Sequence, residues 1–108
     1  IHPSLLPEYP GLDTHKQALE NGDLMHGATI HYVDEGLDSG PIIAQGALKI
    51  DPSQSEAKLA QRIHKIEHAL LPKVIAEIAK ELISLKGKEV KFESKSYFGK
   101  NNMEFFNV

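Results

Sequence analysis

A chain of 108 residues and 12.0 kDa holds one small domain and leaves no room for a second independent core. With 41% hydrophobic residues, 25% charged residues and a mean hydropathy of -0.30 the chain is globular in composition, and no apolar run approaches the roughly 18 residues that a membrane span needs. It has no cysteine, hence no disulfide framework and no thiolate metal site, and the cytoplasm is the expected compartment.

The formal charge of -3 is unevenly placed. Residues 1–52 carry Glu8, Asp13, Glu20, Asp23, Asp34, Glu35, Asp38 and Asp51 against only Lys16 and Lys49, a surface that repels nucleic acid. Toward the end Lys86, Lys88, Lys91, Lys95 and Lys100 outnumber Glu89, Glu93 and Glu104, with no aromatic-interleaved basic motif among them. The chain opens on Ile1 without a leader and reads as beginning inside a fold.

Residues 1–11 contain Pro3, Pro7 and Pro10 and form an ordered loop, since each proline lacks a donor and biases its predecessor away from helix. Residues 14–21 suit a short helix capped by Asp13 or Thr14 and stopped at Asn21-Gly22. Residues 27–33 alternate with a period of two, placing Ala28, Ile30 and Tyr32 on one strand face and Thr29, His31 and Val33 on the other. An acidic, glycine-containing loop at 34–40 leads to a second strand from Pro41 to Ile50, in which Gly46 predicts a bend or bulge.

The segment Ser53-Gln54-Ser55-Glu56 has capping-box spacing. Leu59, Ile63, Ile66, Leu70, Val74, Ile78 and Leu82 then follow one stripe of a long helix that reaches about Leu85, with a kink or break at Pro72. Residues 89–92 suit a short edge strand and residues 94–108 a weakly structured tail. These elements make part of an α/β fold, a mixed sheet with flanking helices whose face and edge something else must cover.

His2 stands in a proline-stiffened loop able to hold an imidazole still, and Asp38 in a loop between strands from which side chains project into clefts. A carboxylate beside an imidazole favours the cationic ring, which stabilises charge developing on an attacked carbonyl oxygen. Sequence spacing does not itself bring the two together, and a loop histidine with a turn aspartate is an ordinary structural pair. His64-Lys65-Ile66-Glu67-His68 fits an H-x-x-E-H zinc pattern, although no downstream motif supplies a third ligand. His15 and His26 read as surface or helix-end residues and His31 as a site-wall candidate; no phosphate-binding glycine loop or activated serine motif occurs.

Taken together, His2-Pro3-Ser4-Leu5-Leu6-Pro7, Tyr9-Pro10-Gly11-Leu12, Thr14-His15, Ala18-Leu19, Gly27-Ala28-Thr29, His31-Tyr32-Val33 and Leu37-Asp38-Ser39-Gly40-Pro41-Ile42-Ile43-Ala44-Gln45 closely resemble the glycinamide ribonucleotide formyltransferases, from Ile1 to about Pro72. The resemblance implies the carboxy-terminal half of a Rossmann-like formyltransferase domain spanning residues 1–108. The amino-terminal half, with its nucleotide-binding loop and a catalytic asparagine, would be the partner, and homodimerisation stays open.

The implied reaction passes a formyl group from 10-formyltetrahydrofolate to the amine of glycinamide ribonucleotide in purine synthesis, with no metal, nucleic acid or membrane involved. By the same resemblance His2 is the catalytic histidine and Asp38 its partner. His31, Asp34, Glu35, Gly36, Leu37 and Asp38 correspond to folate-binding positions, while His2, Pro3 and Glu67 correspond to positions that bind glycinamide ribonucleotide. Formyltetrahydrofolate deformylase is similar over residues 27–45 but differs around the first loop. Methionyl-tRNA formyltransferase carries a further domain. A zinc hydrolase and a non-catalytic half-domain are the more remote alternatives.

Overall fold

A computed structural model describes all residues, 1–108. The elements in chain order are α1 (Thr14–Glu20), β1 (Met25–His31), β2 (Ile42–Lys49), α2 (Glu56–Ala79), β3 (Ile83–Lys86), β4 (Glu89–Phe92) and β5 (Met103–Phe105). β1 and β2 pair antiparallel, with Thr29 opposite Gln45 and Ala28 opposite Gly46. β5 adds a parallel strand on the far side of β2, and β3 and β4 form a separate hairpin.

The period of two divides β1 and β2 between two environments. Ala28, Ile30, Ala44 and Leu48 join the buried cluster to which α2 contributes Leu59, Ile63, Ile66, Leu70 and Val74. Thr29 and Gln45 point the other way, where the loop of residues 1–11 lies: Thr29 Oγ1 donates to Ser4 O at 2.7 Å, and Gln45 Nε2 donates to Leu6 O at 2.9 Å. The sheet is thus sandwiched between the long helix and the proline-rich loop.

Gly46 does not mark the bulge. The register runs unbroken through it and shifts instead between Ile30 and His31. The glycine is there because a Cβ would stand 2.4 Å from Ile66 Cγ2 and 2.9 Å from Leu70 Cδ1, so a missing side chain lets α2 approach the sheet.

α2 runs through exposed Pro72 as one helix of 24 residues, with no break. It ends at Ala79, short of Leu85, because Glu81 takes a left-handed φ of 60° while Glu81 N bonds Ile78 O and Leu82 N bonds Glu77 O. That is a Schellman stop built on glutamate where glycine is usual, so no stop signal preceded Leu82. At the other end Ser55, not Ser53, is the cap, its side chain accepting from Lys58 N, while Ser53 is held back by the Asp51 carboxylate at 2.7 Å. Asp13 precedes α1 at φ 58° without a side-chain cap.

The tail is more ordered than its composition suggests. Phe98 is buried in the main cluster, Glu77 accepts hydrogen bonds from Ser96 Oγ and Tyr97 N, and β5 covers the β2 edge. Its aromatics are set by these single contacts and follow no period, which is why no element was visible there.

Candidate active site

The first loop is tied to β1 by backbone and side chain together. His2 N donates to Thr29 O and Thr29 N to His2 O, each at 2.8 Å, and the buried Thr29 hydroxyl also accepts from Leu6 N at 3.1 Å and Gln45 Nε2 at 3.0 Å. The Leu6–Pro7 peptide is cis. Thr14 Oγ1 donates to Pro3 O, which joins the start of α1 to the same loop. His2 is thereby buried at 5% exposure, its loop pinned to β1 by an isolated bridge to Thr29.

Asp38 arrives from the β1–β2 connection and meets this ring. His2 Nδ1 stands 3.4 Å from Asp38 Oδ2, and the same oxygen accepts from Gly11 N at 2.8 Å. His2 Nε2 faces Tyr9 O at 2.8 Å, so both ring nitrogens look at acceptors, an arrangement that a ring protonated on both nitrogens satisfies. Tyr9, Asp13 and Asp38 all hold positive φ, at 51°, 58° and 51°. For residues with a Cβ each such conformation costs about 1–3 kcal/mol and must be held by its surroundings.

His2, Pro3, Gly11, Leu12, Asp13, Thr14, His15, Leu37, Asp38 and Glu56 line a cleft of about 590 Å³. Three carboxylates and two imidazoles make its wall acidic, a field that draws an amine and disfavours a phosphate. Gly11, Asp13, His15 and Glu56 had no sequence signal as site residues: His15 and Glu56 stand in the first turns of α1 and α2, and Asp13 takes its left-handed conformation without being glycine.

The remaining expected positions are dispersed. Of the 34–38 loop only Leu37 and Asp38 reach the cleft. Asp34 is spent on its own turn, accepting from Gly36 N at 2.8 Å and Ser39 Oγ at 2.9 Å, and Glu35 and Gly36 are exposed. His31 Nδ1 meets the Tyr32 carbonyl at 2.8 Å. Glu67 is half-buried in a separate hollow of about 390 Å³ with Ile1, His68, Leu71 and Pro72, one residue along the chain from His2. His64 and His68 lie exposed with ring centroids 6.5 Å apart, and no group of three metal-ligating side chains converges there or elsewhere.

His26 is not a surface residue. It is 1% exposed in β1, its Nε2 2.9 Å from His15 Nδ1, so one ring donates to the other. Burial, reinforced by His15, pushes its pKa down to about 4, and burial lowers that of His15 as well. A folded-state value below the unfolded one means that the unfolded chain binds more protons as pH falls. The stabilisation is complete above about pH 6.5 and is lost on approach to about pH 4. Urea unfolding at pH 7 and pH 5 should therefore differ by about 2 kcal/mol more in the unmodified protein than in His26→Gln; equal pH dependence in the two would remove His26 as the cause.

The formyl transferase family profile matches residues 1–75. The chain is 57% identical over 76 residues to the trifunctional purine biosynthetic protein adenosine-3 of Drosophila melanogaster, covering 70% of this chain and 6% of that protein. It is 53% identical over 78 residues to the phosphoribosylglycinamide formyltransferase of Bacillus subtilis, covering 72% of this chain and 40% of that one. Among solved structures, the phosphoribosylglycinamide formyltransferase of Anaplasma phagocytophilum superposes with a TM-score of 0.87 at 36% identity, over 98% of this chain and 50% of that chain. A formyltetrahydrofolate deformylase from Pseudomonas syringae is more distant, at 27% identity and a TM-score of 0.79 over 86% of this chain and 31% of that one. These relatives are much longer than the 108 residues described, and the chain, which the family profile matches over residues 1–75, belongs to the formyl transferase family.

Proposed function

We propose that this chain is the catalytic carboxy-terminal half of a phosphoribosylglycinamide formyltransferase, which moves a formyl group from 10-formyltetrahydrofolate to the amine of 5'-phosphoribosylglycinamide in cytoplasmic purine synthesis. The observation that carries the reading is the meeting of His2 and Asp38 at 3.4 Å on the wall of an acidic cleft. The amine nitrogen attacks the formyl carbon, the bond from that carbon to the folate nitrogen breaks, and the proton released by the amine passes through water to the departing nitrogen. His2 donates to the oxygen on which charge develops, exchanging the Tyr9 carbonyl for it, while the Asp38 carboxylate balances the cationic ring.

Leu37 and Asp38 would border the folate, with His31, Asp34, Glu35 and Gly36 shaping its loop through backbone and turn contacts. Pro3 and Glu67 would face the glycinamide substrate from either side of Ile1 and His2, with the Glu67 carboxylate accepting from ribose hydroxyls. No lysine or arginine lines the cleft, so the substrate phosphate would be held by the amino-terminal half of the domain, outside these residues.

The test is the fate of the formyl group in the intact protein. Loss of formyl from the folate should require phosphoribosylglycinamide, and formate release at a comparable rate in water alone would establish the hydrolytic reading suggested by the deformylase neighbour. Glu67→Gln should raise KM for the glycinamide substrate about 10-fold, a loss of roughly 1.4 kcal/mol, because a neutral amide accepts less strongly than a carboxylate. KM for the folate should hardly move; an equal rise in both constants would show that Glu67 acts on the fold.

A further inference from the structure

A cavity larger than the cleft of His2 and Asp38 lies elsewhere in the chain. It measures about 670 Å³, shares no lining residue with that cleft, and is walled by Lys49, Lys58, Arg62, Lys65, Gln54 and Asp51 among others. One of only two lysines in the acidic first 52 residues is thus placed here beside three cations of α2.

The four cations are not equivalent. Arg62 is committed to the protein, its Nε donating to Val108 O at 2.8 Å, Nη2 to Lys49 O at 2.9 Å and Nη1 to Gln54 Oε1 at 3.2 Å. It supplies a fixed positive charge. Asp51, the one acidic side chain in the wall, accepts from Ser53 N and Ser53 Oγ through Oδ1. Lys49, Lys58 and Lys65 have no carboxylate partner, since the ion pairs of the chain are His2–Asp38 and Lys16–Glu20.

A second observation points to an acceptor. Gln54 Nε2 is buried and has no hydrogen-bond partner. The amide cannot simply be reversed, because Arg62 Nη1 needs an oxygen where Oε1 stands. A buried donor without a partner is destabilising, and a small turn of the Gln54 amide toward the cavity it lines would give Nε2 an acceptor oxygen there. The N-terminal end of α2 adds its own positive potential at the same wall.

We propose that this cavity binds an oligophosphate, a chain of two or more phosphate groups, with Gln54 Nε2 donating to one oxygen and Lys49, Lys58 and Lys65 closing on the others around the fixed charge of Arg62. Mobile ammonium groups bind phosphate as point charges and suit a ligand of several phosphates better than a planar carboxylate, which favours the fork of a free guanidinium. A cavity of this volume lies in the small-molecule range of about 300–1,000 Å³ and exceeds what a single orthophosphate fills. Nucleic acid is disfavoured by the acidic surface of residues 1–52. The site is independent of the formyl-transfer reading.

Calorimetric titration of the full-length protein with inorganic tripolyphosphate tests it, with phosphoribosylglycinamide present in excess to occupy any substrate-phosphate site. Saturable binding at one site per chain is expected. Lys58→Ala with Lys65→Ala should weaken it at least 10-fold, and Gln54→Glu, which keeps an oxygen for Arg62 but removes the donor, should weaken it as well. Lys86→Ala with Lys88→Ala, an equal loss of charge elsewhere, should leave it within 2-fold. Tighter binding of a nucleoside triphosphate than of tripolyphosphate would identify a nucleotide as the source, and equal binding the phosphate chain itself. Absence of saturable binding, or equal losses in the two double variants, would overturn the proposal.

Discussion

In the intact protein Asp38→Asn is expected to slow formyl transfer by about 10²–10⁴-fold in a single turnover while leaving folate affinity nearly unchanged. The substitution keeps an oxygen able to accept from Gly11 N and so preserves the loop, but removes the charge that faces His2 Nδ1 at 3.4 Å. That charge matters most when the ring donates to a developing oxyanion, so the loss falls on the transition state and not on binding. His2→Asn should cost about as much. The double variant should be little slower than the worse single one, because either change disables the same unit. Rate losses that multiply would separate the two residues and end the proposed pairing.

The parts of the molecule legible in the sequence are those governed by period and by local chemistry. Leu59, Ile63, Ile66, Leu70 and Val74 step along a helix and all are buried, and the alternation at β1 separates Thr29 from Ala28 and Ile30 as the structure does. The pairing of His2 with Asp38 was reachable only through the resemblance, since no periodicity pairs a loop with another loop 36 positions away. Where reading failed, single contacts decided. Gly46 answers to Ile66 and Leu70 on another element, not to its own strand. Glu81 takes a conformation that composition assigns to glycine, and the tail is held by Glu77 and by the burial of Phe98. His26 looks polar in sequence, yet its neutral ring finds its partner in His15 and can be buried.

Thr29 is the residue through which fold and site are joined, and its hydroxyl carries the second large expectation. Thr29→Val preserves shape and strand propensity but removes a buried group that donates to Ser4 O and accepts from Leu6 N and Gln45 Nε2. Ser4 O and Leu6 N are left without their side-chain partner inside the protein, while Gln45 keeps its bond to Leu6 O. The unmet desolvation of the two orphaned backbone groups puts the cost at roughly 2–4 kcal/mol in urea unfolding. The backbone bridge between Thr29 and His2 survives the change, so β1 should persist while the loop beyond His2 loosens. Tyr9 and Gly11, which fix the imidazole and the Asp38 carboxylate, lie on that loop. Misplacement by about an ångström at the reacting centre costs on the order of 10² in rate, so turnover at a temperature where the variant is still folded should fall by about that factor. Thr29→Ser restores the hydroxyl at the expense of one methyl and should recover most of both losses. A valine variant as stable and as active as the unmodified protein would mean that the hydroxyl network does not position His2, and that the backbone bridge alone suffices.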